Sequence, residues 1–122
     1  MQGYGQDVQE VLSQFGRMSE SVTVYIPTTI NVNQAVDTTE WVHIVSRELS
    51  ELFGGATITQ GSGCWVSDTE GLVEEKVIMV KSYCVQLTGE LVQKVIELCQ
   101  KMKITLSQEA ISLEVNNSLI LI

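Results

Sequence analysis

Proline occurs once in these 122 residues and histidine once, and there are seven basic residues against fifteen acidic ones. Each scarcity excludes something. A formal net charge of −8 repels the polyanionic backbone of nucleic acid, so direct binding of DNA or RNA is not expected. The single histidine, His43, and three cysteines, Cys64, Cys84 and Cys99, fit no zinc-ligand spacing, so neither a metal nor a cofactor is expected. No apolar run approaches the ~20 residues that span a bilayer. Met1 to Asp7 has neither the basic stretch nor the apolar centre of an export signal. A cytoplasmic setting with reduced thiols is the expectation. No glycine-rich loop opens a helix, no serine or cysteine sits in a nucleophile motif, and no internal repeat or linker divides the chain, so no catalytic residue is nominated.

What is present is an ordinary globular composition, 44% apolar and 18% charged. The length suits one domain over residues 1–122, with 1–20 as a helical extension. Within that extension Val8, Val11, Leu12 and Phe15 form one apolar stripe over residues 7–15. Two turns are marginal alone, so the stripe is expected to dock on the body or on a partner. Ser21 to Ile26 alternates as a strand that Pro27 ends. A polar connection leads to Asp37-Thr38-Thr39-Glu40, which reads as a capped helix start. Trp41, Val45, Leu49 and Leu52 form that helix's apolar stripe, and Gly54-Gly55 its C-terminal stop.

Ala56 to Val66 and Leu72 to Tyr83 read as a hairpin around a turn at Ser67 to Gly71. Within it, Val77 to Val80 should be buried on both faces. Gly61 and Gly63 suggest a bulge; they could cradle an anion, but phosphate loops open helices and these glycines do not. A turn centred near Thr69 places Cys64 roughly opposite Glu75 and far from Cys84, against a disulfide. Thr88 caps a second helix with Leu91, Val95, Leu98, Cys99 and Met102 on one stripe. Ala110 to Val115 and Ser118 to Ile122 are strands joined by Asn116-Asn117. The order is β-α-β-β-α-β with an extra N-terminal helix and an extra C-terminal strand. The fold class expected is α+β, a ferredoxin-like sandwich with two helices on one face of an antiparallel sheet.

Charge is the least evenly distributed property. Residues 37–75 carry Asp37, Glu40, Glu48, Glu51, Asp68, Glu70, Glu74 and Glu75 against Arg47 alone, whereas 76–103 are net basic. The expected partner surface is therefore Glu40, Glu48, Glu51, Asp68, Glu70, Glu74 and Glu75, facing a basic protein that handles nucleic acid, such as a nuclease. Glu40, His43 and Arg47 can share a helix face; an acid–base pair is one reading, and a salt-bridged surface is the plainer one. Tyr25, Trp65 and Tyr83 are candidate interface aromatics. The uncharged Leu119-Ile120-Leu121-Ile122 strand is a hazardous free edge, to be covered by the N-terminal helix or paired in a homodimer.

The runs Val24-Tyr25-Ile26-Pro27-Thr28-Thr29, Leu52-Phe53-Gly54-Gly55-Ala56-Thr57 and Gly63-Cys64-Trp65 resemble small uncharacterised proteins of phages, plasmids and other mobile elements, over about residues 21–122. The resemblance implies an accessory protein and brings no catalytic residues. Acidic proteins of that kind include inhibitors of host-defence nucleases. The leading functional expectation is thus a non-enzymatic, anti-CRISPR-like inhibitor of a basic nucleic-acid-handling protein. The first alternative is a small-molecule-binding module or enzyme with a pocket between sheet and helices, built from Glu40, His43, Tyr25, Trp65 and Tyr83. The second is a structural homodimer subunit.

Overall fold

The computed structural model describes residues 5–30, 34–35 and 37–122. Its elements run α1 (Gln6–Leu12), β1 (Glu20–Pro27), β2 (Thr29–Ile30), β3 (Gln34–Ala35), α2 (Thr39–Phe53), β4 (Thr57–Ser67), β5 (Gly71–Cys84), α3 (Gly89–Thr105), β6 (Ser112–Val115) and β7 (Ser118–Leu121). Five strands form one antiparallel sheet in the order β4-β5-β1-β6-β7, and β2 pairs with β3 alone. The chain is therefore a mixed α/β fold on an antiparallel sheet. No described helix is long and apolar enough to cross a membrane.

Strand alternation sorts the sheet into two faces. On the covered face, Val22, Val24 and Ile26 of β1, Val80 of β5 and Leu113 of β6 have no exposed surface. They meet Val45 and Leu49 of α2 and Val95, Cys99 and Met102 of α3, all equally buried. The apolar spacing of the two helices thus does what it promised: each presents one stripe to one sheet face. Gly54, at φ +93°, closes α2 in the left-handed conformation that a side chain would oppose. The hydroxyl of Thr88 accepts from the Leu91 N–H and starts α3. At α2 the side-chain contact comes from Asp37 instead of Thr38: its Oδ1 accepts from the Thr39 N–H at 3.0 Å. That bond to the charged form holds the Asp37 carboxyl below its ordinary pKa.

Several local expectations change. The N-terminal helix stops at Leu12, none of its residues is buried, and Phe15 beyond it is 68% exposed. Its stripe lacks the burial that would lengthen a two-turn helix. Glycine makes no bulge: β4 and β5 pair without interruption from Thr57–Lys81 to Ser67–Gly71. That register puts Cys64 opposite Glu74, not Glu75. Of Val77 to Val80 only Val80 is buried; Val77 and Met79 face away from the helices and are half covered. The last strand pairs with β6 and is not covered, with Leu119 and Leu121 58% and 69% exposed. The polar connection after Pro27 contains β2 and β3, though Asn31–Asn33 and Val36 lie outside the described residues.

Candidate functional site

The sheet face turned away from α2 and α3 carries an open cavity. Tyr25 and Pro27 of β1, Glu75, Val77 and Met79 of β5 and Gly61 and Gly63 of β4 all belong to this face by alternation. They line a cavity of about 370 Å³, which Gln108, Ala110, Ile111 and Ser112 close along one side. Cross-strand pairing explains the glycines. Gly61 lies opposite Val77 and Gly63 opposite Glu75, so both lack a side chain where the floor is open. A Cβ on Gly61 would come within 2.8 Å of the Met79 terminal methyl, whereas one on Gly63 would meet nothing within 4 Å. Met79 fills the space at Gly61, and the space at Gly63 stays empty.

Polar groups ring this cavity at both ends. At one end the Thr29 hydroxyl donates to Glu75 Oε2 at 2.6 Å, and Gln108 Nε2 donates to the Thr29 carbonyl at 2.9 Å. At the other, the Tyr25 hydroxyl donates to Glu114 Oε1 at 2.8 Å. That bond, with burial and the Glu114 charge behind it, raises the phenol above its ordinary pKa, so Tyr25 stays protonated and its ring presents a neutral wall. Lys76 also reaches the rim, where its carbonyl accepts from the Thr28 hydroxyl at 2.6 Å. The arrangement offers one carboxylate, a backbone carbonyl, an aromatic wall and a thioether. Such a set suits a flat, partly apolar ligand that carries charge at one end.

The sequence candidates scatter around this site. Glu75 and Tyr25 line it. Trp65 and Tyr83 are exposed, opposite Val73 and Ser21 in the ladders. Ten residues of β5 separate those two positions, about 33 Å of strand, so the three aromatics do not converge. Lys81 sits 4.6 Å above the Tyr83 ring. Glu40, His43 and Glu51 are exposed on α2, and Arg47 pairs with Glu51 at 3.3 Å, not with the Glu40–His43 end. Glu48 borders a smaller groove of about 170 Å³ between α2 and α3, beside Lys94 and Lys101. Asp68 and Glu70 are exposed at the hairpin tip, and Glu74 points to the opposite face from Glu75. The acidic residues thus occupy both faces and the tip of the sheet.

The expected pocket between sheet and helices is displaced for the same reason the core is stable: α2 and α3 fill that space with side chains. Sequence reading missed Thr29, Gln108 and Glu114. Their contacts span 46, 79 and 89 residues, and only strand register could have pointed to the first.

All three cysteines are free: Cys64 exposed, Cys84 half-buried and Cys99 buried. Burial pushes the Cys99 thiol up to about 12. A thiol reagent at neutral pH should therefore titrate Cys64 at once, Cys84 more slowly and Cys99 only when the core opens. Three equally fast equivalents in the folded protein would contradict this packing.

No protein-family model matches this sequence. No curated protein matches it either. Two solved structures share its fold. A phage SAM lyase in complex with S-methyl-5'-thioadenosine aligns with a TM-score of 0.64 over 88% of this chain and 92% of the other, at 15% identity. A phage SAM lyase in the apo state aligns with a TM-score of 0.59 over 87% of each chain, also at 15% identity. The likeness agrees with the resemblance to phage proteins. It overturns the reading of a non-enzymatic acidic inhibitor, because the proteins that share this fold nearly end to end are lyases, one of them solved with a small molecule bound.

Proposed function

We propose that this chain is a small-molecule enzyme that takes S-adenosylmethionine into the cavity on the open sheet face and splits it to S-methyl-5'-thioadenosine. The observation that carries this reading is a fold shared along nearly the whole chain with a phage SAM lyase solved with that thioether bound. The cavity supports it independently. Its volume, about 370 Å³, falls within the range of ordinary ligand sites. Its wall places a carboxylate, Glu75, where a positively charged sulfonium gains by approaching.

The chemistry follows from substrate and product. The bond from sulfur to the four-carbon amino-acid arm breaks, and its electron pair stays on sulfur as the neutral thioether. The arm's own carboxylate oxygen takes up the freed carbon and closes a lactone. Atoms and charge balance without water, an oxidant or an external base. Glu75 acts as a binding group in this scheme. Positive charge leaves sulfur as the bond stretches, so a carboxylate beside it holds the substrate more tightly than the transition state. Tyr25 offers its neutral ring for the adenine to lie against. The neutral thioether lacks the attraction to Glu75, which favours its release.

The test is incubation with S-adenosylmethionine and mass spectrometry of the products. Thioether and lactone (or its hydrolysis product) should accumulate in step. Glu75→Gln should raise KM by about tenfold, since a charge-assisted contact is lost, and should raise kcat rather than lower it, since the contact favours substrate over transition state. No thioether above the protein-free control would sink the reading.

Finer statements rest on the same footing. We read β6-β1-β5-β4, with α2 and α3 on one face, as the ferredoxin-like arrangement, to which α1 and β7 are added. The origin is a phage or related mobile element and the setting the cytoplasm, where three free thiols are at ease. The uncharged outer edge of β7 supports pairing with a second copy.

A further inference from the structure

The segment that leaves β1 is tied across the cavity rim by adjacent threonines. Thr28 donates to the Lys76 carbonyl and Thr29 to Glu75 Oε2, each at 2.6 Å. Gln108, beyond α3, holds the same segment from the other side: its Nε2 donates to the carbonyls of Thr29 and of Leu106, at 2.9 and 3.0 Å. Among the described residues Thr29 is the one hydrogen-bond partner of the Glu75 carboxylate. Gly63 lies opposite Glu75 with nothing within 4 Å of where its side chain would be, so no packed neighbour restrains the carboxylate from that strand. A glutamate with three free torsions and open space beside it would spread over many rotamers, and a cation would have to order it on binding.

We propose that Thr29 is a positioning residue, which fixes the Glu75 carboxylate at the cavity wall for a cationic ligand, with Gln108 fixing Thr29 in turn. The inference rests on the functional reading above and adds a residue to it. The hydroxyl satisfies one carboxylate oxygen and leaves the other for the ligand. Discrimination between the positively charged substrate and its neutral thioether product therefore depends on a side chain that touches neither.

The closing experiment compares wild type, Thr29→Val, which keeps the shape and removes the donor, and Thr29→Ser, which restores it. KM and kcat are measured for S-adenosylmethionine, and affinity for S-methyl-5'-thioadenosine by calorimetry. Thr29→Val should raise KM about tenfold, the scale of one hydrogen bond to a charged group, with kcat retained. Thioether affinity should stay unchanged, and Thr29→Ser should return KM to wild type. Equal loss for the charged and neutral compounds would overturn the inference, because it marks a merely structural threonine. So would a Thr29→Val variant that matches wild type in every parameter. A wild-type protein that neither binds the thioether nor cleaves the substrate overturns the functional reading, and the inference with it.

Discussion

Gly63→Leu is expected to weaken binding of S-methyl-5'-thioadenosine by at least about tenfold while the melting temperature stays within a few degrees of wild type. A Cβ at this position meets nothing within 4 Å, so the backbone accepts the substitution without a clash. Alternation sends the new side chain to the same face as Glu75, into the cavity of about 370 Å³. Glycine inside a strand is a weak choice for stability, so leucine costs the fold little and could gain some order in β4. The effect falls on the ligand, which would have to share its volume with a four-carbon side chain. Gly63→Ala grades the response and should give a small loss. Calorimetry with the thioether, beside a thermal melt, separates the two effects. Unchanged affinity in Gly63→Leu would place the ligand away from the open face. Gly61→Ala is a poorer probe, since its Cβ would displace the end of Met79, and a loss of binding there could arise from either residue.

The same glycine shows where the sequence stopped being legible. Both helices could be read from apolar spacing, because an amphipathic stripe is a local pattern and one buried face satisfies it. Leu49 and Val95 lie at the centre of the core that this spacing implies. The hairpin was nearly as clear, with its turn around Thr69 correctly centred. A slip of one residue, however, exchanges the faces of a strand. With Cys64 opposite Glu75, both glycines would point away from the carboxylate. With Gly63 opposite Glu75, they open a floor beneath it. The charge pattern misled for a related reason: a dense run of acids along the chain need not form one surface. Glu48 borders a groove with two lysines, Glu74 and Glu75 point to opposite faces, and Arg47 takes up Glu51. Thr29 and Gln108 lay beyond local reading altogether. Their partners are brought to them by the closure of β1 on β5 and by the path of the chain after α3, and nothing near either residue in sequence announces a contact.

If the sheet separates a stabilising face from a ligand face, Leu49→Ala should do the reverse of Gly63→Leu. Leu49 has no exposed surface and belongs to the α2 stripe that meets Val24, Val80 and the α3 residues in the covered core. Truncation removes three carbons' worth of burial and leaves a void that a rigid sheet cannot collapse to fill. The cost should be about 2–5 kcal/mol of unfolding free energy. Against a total of roughly 5–15 kcal/mol for a domain, that is a large fraction, and the melting temperature should fall by on the order of 10 °C. The cavity residues stand on the other face of the same strands, and their hydrogen bonds (Thr29 to Glu75, Gln108 to Thr29 and Tyr25 to Glu114) do not pass through α2. Thioether affinity at a temperature well below the transition should therefore stay near wild type. Denaturant melts give the stability change, and the midpoint should shift with little change in slope. Because a ligand that binds only the folded state stabilises it by mass action, the same concentration of thioether should raise the melting temperatures of wild type and Leu49→Ala alike, and raise that of Gly63→Leu distinctly less. A ligand shift lost in Leu49→Ala but kept in Gly63→Leu would mean that the compound binds on the helical side.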